Sequence, residues 1–156
     1  MVLPRRRRMR LGASVYREPG QVFSVTIGTD PRRAVFADAA FGLECVRLLK
    51  RSCADARARV HAYCLMPDHV HLLIGVGDRE GLARIVGGWK SLCYQARRRR
   101  GCAERFWQRS FYDHALRRDE DLRVVGRYVL ENPVRAGLVR EVRDYALSGS
   151  FEFDVE

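Results

Sequence analysis

The stretch Met66-Pro67-Asp68-His69-Val70-His71-Leu72-Leu73-Ile74 decides how the chain folds. Pro67-Asp68 is turn chemistry, and the residues after it alternate. A strand sends successive side chains to opposite faces, so His69 and His71 share one face while Val70, Leu72 and Ile74 share the other. Upstream, Arg59 to Met66 reads as a strand, so the two runs form an antiparallel hairpin that continues to Val76, with the histidines at its turn end. Two imidazoles about 7 Å apart along a strand can approach one divalent ion. Two ligands rarely hold a metal, so a third has to come from elsewhere. An isolated His-x-His pair is more often the polar face of a half-exposed sheet, and the rest of the chain decides between the two readings.

Working outward from the hairpin, Gln21 to Gly28 alternates, with Val22, Ser24 and Thr26 on one face and Phe23, Val25 and Ile27 on the other, and predicts a first strand. Phe41, Cys45, Leu48 and Leu49 recur at helical spacing between Asp38 and Ala54 and predict an amphipathic helix. After the hairpin, Leu82, Ile85, Val86, Trp89, Cys93 and Ala96 form a second apolar stripe, and that helix ends in Arg97 to Arg100 and Gly101, where cations oppose the negative end of the helix dipole. A loop carries Phe106, Trp107 and Gln108, and Phe111 to Arg117 predicts a fourth strand. Asp119 reads as the N-cap of a last helix, with the stripe Leu122, Val125 and Val129, stopped at Asn132 by Pro133.

The order strand, helix, strand, strand, helix, strand predicts an α+β fold, a ferredoxin-like antiparallel sheet with helices on one face. The extra helix is free to lie on the other face, against the histidines. The 156 residues, 47% of them hydrophobic, suffice for one core and one domain. The expected organisation is a basic arm over 1–20, a single domain over 21–147 and a short tail over 148–156.

The formal charge is +10, and Lys50 and Lys90 are the only lysines. Arginine's planar fork suits phosphate, so the balance points to a polyanionic partner. Arg5, Arg6, Arg7, Arg8 and Arg10 form a basic run that reads as a nucleic-acid arm or a solvated tail. Arg97, Arg98, Arg117, Arg118 and His114 are further candidates for DNA contact, though a satisfied sheet histidine is the favoured description of His114. The five cysteines show no C-x-x-C pair, which excludes a cysteine zinc site of the usual spacing and indicates thiols rather than a disulfide framework. No apolar run approaches a membrane span, and the arginine-rich start lacks the apolar segment of a signal peptide, so a cytoplasmic protein without membrane contact is expected.

On the last helix Tyr128 and Asn132 are i and i+4 and lie side by side, bordering the apolar stripe. A helix packed by that stripe directs both toward His69 and His71, which suggests Asn132 as an oxygen ligand and Tyr128 as a phenol beside a metal. A tyrosine at the edge of a core is the competing reading of Tyr128.

Three separated motifs carry a resemblance: Met66-Pro67-Asp68-His69-Val70-His71-Leu72-Leu73; then Phe106-Trp107-Gln108; then Arg127-Tyr128-Val129-Leu130-Glu131-Asn132-Pro133-Val134-Arg135-Ala136-Gly137-Leu138-Val139. Together, in this order, they resemble the REP-associated tyrosine transposases of the single-tyrosine HUH group. The match runs from about Val22 to Tyr145. The resemblance implies His69 and His71 as metal ligands, Asn132 at a third, amide ligand position, and Tyr128 as the nucleophile. It implies a divalent ion, Mg²⁺ or Mn²⁺, with zinc a further occupant that such donors accept. A free tyrosine ionises near about 10 and needs help as a nucleophile. The implied reaction is attack of the phenol on a DNA phosphodiester, leaving a 5′-phosphotyrosine and a free 3′-hydroxyl.

The implied partner is single-stranded DNA with palindromic hairpins, bound by a monomer or a homodimer. A hairpin-binding protein that no longer cuts is the alternative from another class. A histidine-based nucleotide hydrolase is disfavoured because Leu73 stands where a third alternating histidine would be.

Overall fold

The computed structural model describes residues 11–152. The proposed arginine arm, Arg5 to Arg8 and Arg10, lies outside the described residues. The elements run β1 (Val22–Gly28), α1 (Ala39–Asp55), β2 (Arg59–Met66), β3 (His69–Gly75), α2 (Leu82–Arg99), β4 (Tyr112–Ala115), α3 (Leu122–Leu130), α4 (Asn132–Arg135) and β5 (Ser148–Gly149). The strands form one sheet in the order β4-β1-β3-β2-β5, with every neighbouring pair antiparallel. This is the expected ferredoxin-like order with one strand added beyond β2. Among the described residues, no helix is long and apolar enough to cross a membrane.

Alternation along the strands divides the core between the two faces. Phe23, Val25 and Ile27 of β1 and Val70, Leu72 and Ile74 of β3 pack with Phe41, Cys45 and Leu49 of α1 and with Ile85, Trp89 and Cys93 of α2. Trp89 Nε1 donates to the Cys45 carbonyl at 2.9 Å, so the largest side chain of this layer has its one polar atom satisfied. The opposite face carries a smaller cluster: Ala62, Cys64 and Met66 of β2 and Leu73 of β3, covered by Val129 and Leu130 of α3. Helices therefore cover one face, and the extra helix lies on the face that holds the histidines.

The β2–β3 ladder shifts between Val60 and Ala62. That extra residue lets Val60 and Tyr63, three apart, both enter the helix-side core. His61 sits at the shift, with Nδ1 bonded to the Glu152 carboxylate.

Three local expectations are corrected. The N-cap of α3 is Asp121, whose carboxylate accepts from the Arg123 amide at 2.8 Å, and not Asp119. The fourth strand spans only four residues, Tyr112–Ala115. The chain does not leave helical geometry at Asn132: Glu131 ends α3 with φ −81° and ψ −4°, and α4 starts at once with Pro133 in its first turn. A proline lacks only an N–H that a first turn leaves unused, so Pro133 separates two short helices instead of ending the helical path. The stretch 148–156 begins on the sheet, with Ser148 paired to Cys64 and Gly149 to Tyr63. The Phe151 ring packs against Tyr63 with centroids 4.9 Å apart and planes tilted by 38°.

Capping and packing of α3 carry different weights. Burying Val129 and Leu130 contributes roughly 1.5–3 kcal/mol each, whereas an N-cap carboxylate is worth about 1 kcal/mol. Asp121→Ala is therefore expected to lower unfolding stability by about 1 kcal/mol without undocking the helix. Asp119→Ala is expected to change it by less than about 0.5 kcal/mol. Urea midpoints of the two variants measured side by side check the assignment.

Candidate active site

The site begins with two nitrogen atoms. Side chains of residues paired directly across a ladder share a face. His69 is opposite Gly28 of β1 and Met66 of β2, and His71 is opposite Thr26 of β1 and Cys64 of β2. The two rings lie edge to face with centroids 4.8 Å apart. His69 Nδ1 is bonded to Asp68 Oδ1 at 2.6 Å, and His71 Nδ1 is 3.3 Å from Thr26 Oγ1. Each imidazole thus has its Nδ1 engaged, and both Nε2 atoms are buried with no hydrogen-bond partner. Two buried, unsatisfied nitrogens on adjacent rings are costly unless something binds them. A hydrogen bond donated from Nδ1 leaves the lone pair on Nε2, the tautomer a metal ligand needs.

The electrostatics agree with that tautomer. Burial, then the neighbouring His69, then the charge of Arg135 push the His71 pKa down from its ordinary value to about 4. His71 is neutral at physiological pH, with a lone pair to donate. Cys64, its neighbour in the same row, is pushed up to about 12 by burial, so it remains a neutral thiol.

The folded pKa of His71 lies below that of the unfolded chain, so unfolded molecules bind more protons. The stability this contributes is complete above about pH 6.5 and is lost as pH falls toward about 4. In chelator, wild type is expected to lose about 2 kcal/mol more than His71→Gln between pH 7.5 and pH 5. Paired urea titrations at the two pH values measure the difference.

The helical side of the site is built from α3, α4 and the residue between them. Tyr128 is 60% exposed, so its ring is accessible from solvent and not embedded in a core. The Arg135 guanidinium lies over that ring, 3.7 Å from its centroid. Its NH2 group donates to the Tyr128 carbonyl at 2.6 Å and to Asn132 Oδ1 at 3.0 Å. Asn132 is buried, and its Nδ2 donates to the Val129 carbonyl at 3.0 Å. Tyr128, Asn132 and Arg135 are thus one knot at the junction of α3 and α4. Arg135 joins it to the histidines through its field at His71. Among the described residues, neither Tyr128 nor Asn132 is hydrogen bonded to His69 or His71.

The other expected contacts scatter. His114 is on the same face as the histidines, opposite Ser24, with Nε2 bonded to Glu120 at 2.9 Å. Arg117 and Arg118 are exposed in the turn after β4. Arg97 sits 5.6 Å from the Phe41 ring and 5.5 Å from the Phe106 ring, and Arg98 is 6.0 Å from Tyr94. These two belong to the helical layer on the face opposite the histidines, and the fold does not bring them to the His69/His71 face.

Asp68, Thr26 and Arg135 were not singled out from the sequence as site residues. Asp68 adjoins His69 and Arg135 is three residues from Asn132, so spacing offered a signal for both. Thr26 reaches His71 only through strand pairing.

Residues 22–132 match the family described as "Transposase IS200 like". A REP-associated tyrosine transposase of Escherichia coli K12 is 30% identical over 103 residues, covering 65% of this chain and 59% of that protein. A Haemophilus influenzae protein described as a REP-associated tyrosine transposase is 29% identical over 118 residues, covering 69% of this chain and 66% of that protein. The chain thus spans less than two thirds of the length of either relative. A solved structure of a REP-associated tyrosine transposase bound to a REP hairpin superposes with a TM-score of 0.70 at 22% identity, covering 95% of this chain and 82% of that one. It shares the fold described above.

Proposed function

Because the chain belongs to the IS200-like transposase family, we propose that it is a divalent-metal-dependent endonuclease and strand transferase for single-stranded DNA hairpins, acting through a 5′-phosphotyrosine on Tyr128. The observation that carries this reading is the pair of buried, unpartnered Nε2 atoms of His69 and His71. A binding module has no use for such a pair, and structural histidines would satisfy it.

His69 and His71 would hold the ion through Nε2, oriented by Asp68 and Thr26 at their Nδ1 atoms. A bound Mg²⁺ or Mn²⁺ supplies a Lewis acid that draws charge from a non-bridging phosphate oxygen. Tyr128 is the more exposed of two tyrosines, 60% against 36% for Tyr112. Its Oη forms the bond to phosphorus as the bond from phosphorus to the 3′ oxygen breaks. The phenolic proton is lost and the departing 3′ oxygen gains one. One phosphodiester is exchanged for another, so the reaction needs no nucleotide cofactor and reverses to join a new strand. Arg135 holds the Tyr128 ring by stacking and places a fixed positive charge where the phosphate approaches.

The substrate class rests on the net charge of +10, which favours a polyanion, and on the similar fold of a transposase bound to a REP hairpin. The test is incubation of labelled single-stranded oligonucleotides bearing repeat hairpins with the protein and Mn²⁺. A chelator-sensitive covalent protein–DNA adduct supports the reading. Salt-sensitive hairpin binding with no adduct under any metal overturns it in favour of a non-cleaving binder.

A further inference from the structure

We propose that Gln108 supplies the side-chain oxygen that joins His69 and His71 around the metal, and that Asn132 instead clips the helix junction carrying Tyr128. This rests on the metal-dependent reading above and assigns the third protein ligand of that site.

The inference starts from a missing side chain. Gly28 is paired with His69, so a Cβ at position 28 would project onto the histidine face. That space is taken: an added Cβ would lie 2.7 Å from Gln108 Oε1 and 3.0 Å from Gln108 Nε2. The Gln108 amide therefore rests over Gly28, on the same face and in the same row as His69. Glycine is what allows so close an approach.

The backbone fixes this placement. Thr29 forms a bridge with Trp107, and the Gln108 amide donates to the Gly28 carbonyl at 3.0 Å, so residues 107–108 run along β1 as a strand would. Alternation then sends Trp107 into the helix-side core, where it lies 5.5 Å from Trp89, and turns Gln108 to the other face. Lys90 Nζ donates to the Gln108 carbonyl at 2.6 Å, and Trp107 Nε1 donates to the Lys90 carbonyl at 3.0 Å. The dipeptide is clamped from behind while its amide head lies over Gly28, the residue paired with His69.

Chemistry separates the two amides. Asn132 spends its oxygen on Arg135 and its nitrogen on the Val129 and Tyr128 carbonyls. Both ends are used in their natural sense, donor to carbonyl and acceptor from guanidinium, so the amide is locked as a clip. The Gln108 amide is engaged by no hydrogen bond among the described residues. Among those residues, no group of three His, Cys, Asp or Glu side chains could hold an ion. A neutral oxygen donor therefore has to complete a two-histidine site. Two imidazoles and a carboxamide oxygen, with water in the remaining positions, suit Mn²⁺.

The experiment measures Mn²⁺ binding by counting free ion with electron paramagnetic resonance, with no DNA present. Wild type is compared with His69→Ala, Gln108→Ala, Gln108→Glu and Asn132→Ala, all checked for wild-type circular dichroism. The expected result is a weakening of at least about tenfold for Gln108→Ala, with Gln108→Glu at or above wild-type affinity and Asn132→Ala within about threefold of it. Unchanged affinity in Gln108→Ala, with affinity lost in His69→Ala, overturns the assignment of Gln108 and leaves the metal reading standing. Failure of wild type to bind Mn²⁺ overturns both. Loss in Gln108→Ala together with affinity kept or gained in Gln108→Glu is the pair of results that packing alone would not produce, because the carboxylate restores an oxygen at the same reach that alanine removes.

Discussion

Tyr128→Phe is expected to abolish the covalent protein–DNA adduct, a loss on the order of 10³-fold or more in cleavage, while hairpin binding stays within about twofold of wild type. The separation follows from where the hydroxyl sits. Tyr128 is exposed, and its ring is held by the Arg135 guanidinium 3.7 Å from the centroid, a contact that phenylalanine keeps. Neither the α3 cap nor the Val129/Leu130 seat involves the phenolic oxygen. The variant removes one nucleophilic atom and no packing. Cleavage of labelled hairpin DNA, followed as adduct on denaturing gels beside a filter-binding assay, reads both quantities. An adduct that persists in Tyr128→Phe would transfer the role to another tyrosine. Tyr112 would be next, because it pairs with Thr26, which in turn pairs with His71, and so shares their face.

His71→Ala is expected to lower Mn²⁺ affinity by at least about 100-fold and to take cleavage down with it. Excess metal should restore part of the activity if the phenol is intact. Two nitrogen ligands are available, and deleting one halves the set. Loss of stability does not explain the outcome away. A buried neutral imidazole with an unsatisfied Nε2 is a cost to the fold, so its removal should leave the unfolding midpoint near wild type in chelator. Calorimetric titration with Mn²⁺ and a urea melt of the same sample distinguish metal loss from unfolding. Equal metal affinity in wild type and variant would sink the two-histidine site.

The parts of the fold that were legible beforehand are those where a period of 2 or 3.6 recurs in a run of residues. The hairpin of β2 and β3, the face shared by His69 and His71, and the stripe from Leu82 to Ala96 are of this kind, and the structure reproduces them within a residue or two at the ends. The ferredoxin-like order followed from the succession of elements. Illegible were features whose cause is a single contact: the cap at Asp121, the continuation through Pro133, and β5 on the edge of β2. Two residues cannot display a period, and Ser148–Gly149 becomes a strand only because β2 offers unpaired backbone groups there.

The candidate site divides along the same line. By itself the sequence determined the sheet order, the histidine pair on one face and the proximity of Tyr128 to Asn132, because each depends on neighbours within one strand, one helix or one succession of elements. Only the tertiary structure decided what those side chains do. Strand register brought Thr26 to His71, the helix junction committed the Asn132 amide to Arg135, and the bare surface of Gly28 admitted the Gln108 amide beside His69. The physical reason is that an amide or an imidazole has few hydrogen-bonding positions. Which of them stay free for a ligand depends on the partners at hand, some as near as Arg135 is to Asn132, others, Thr26 for His71 and Gly28 for Gln108, brought together from 45 and 80 residues away.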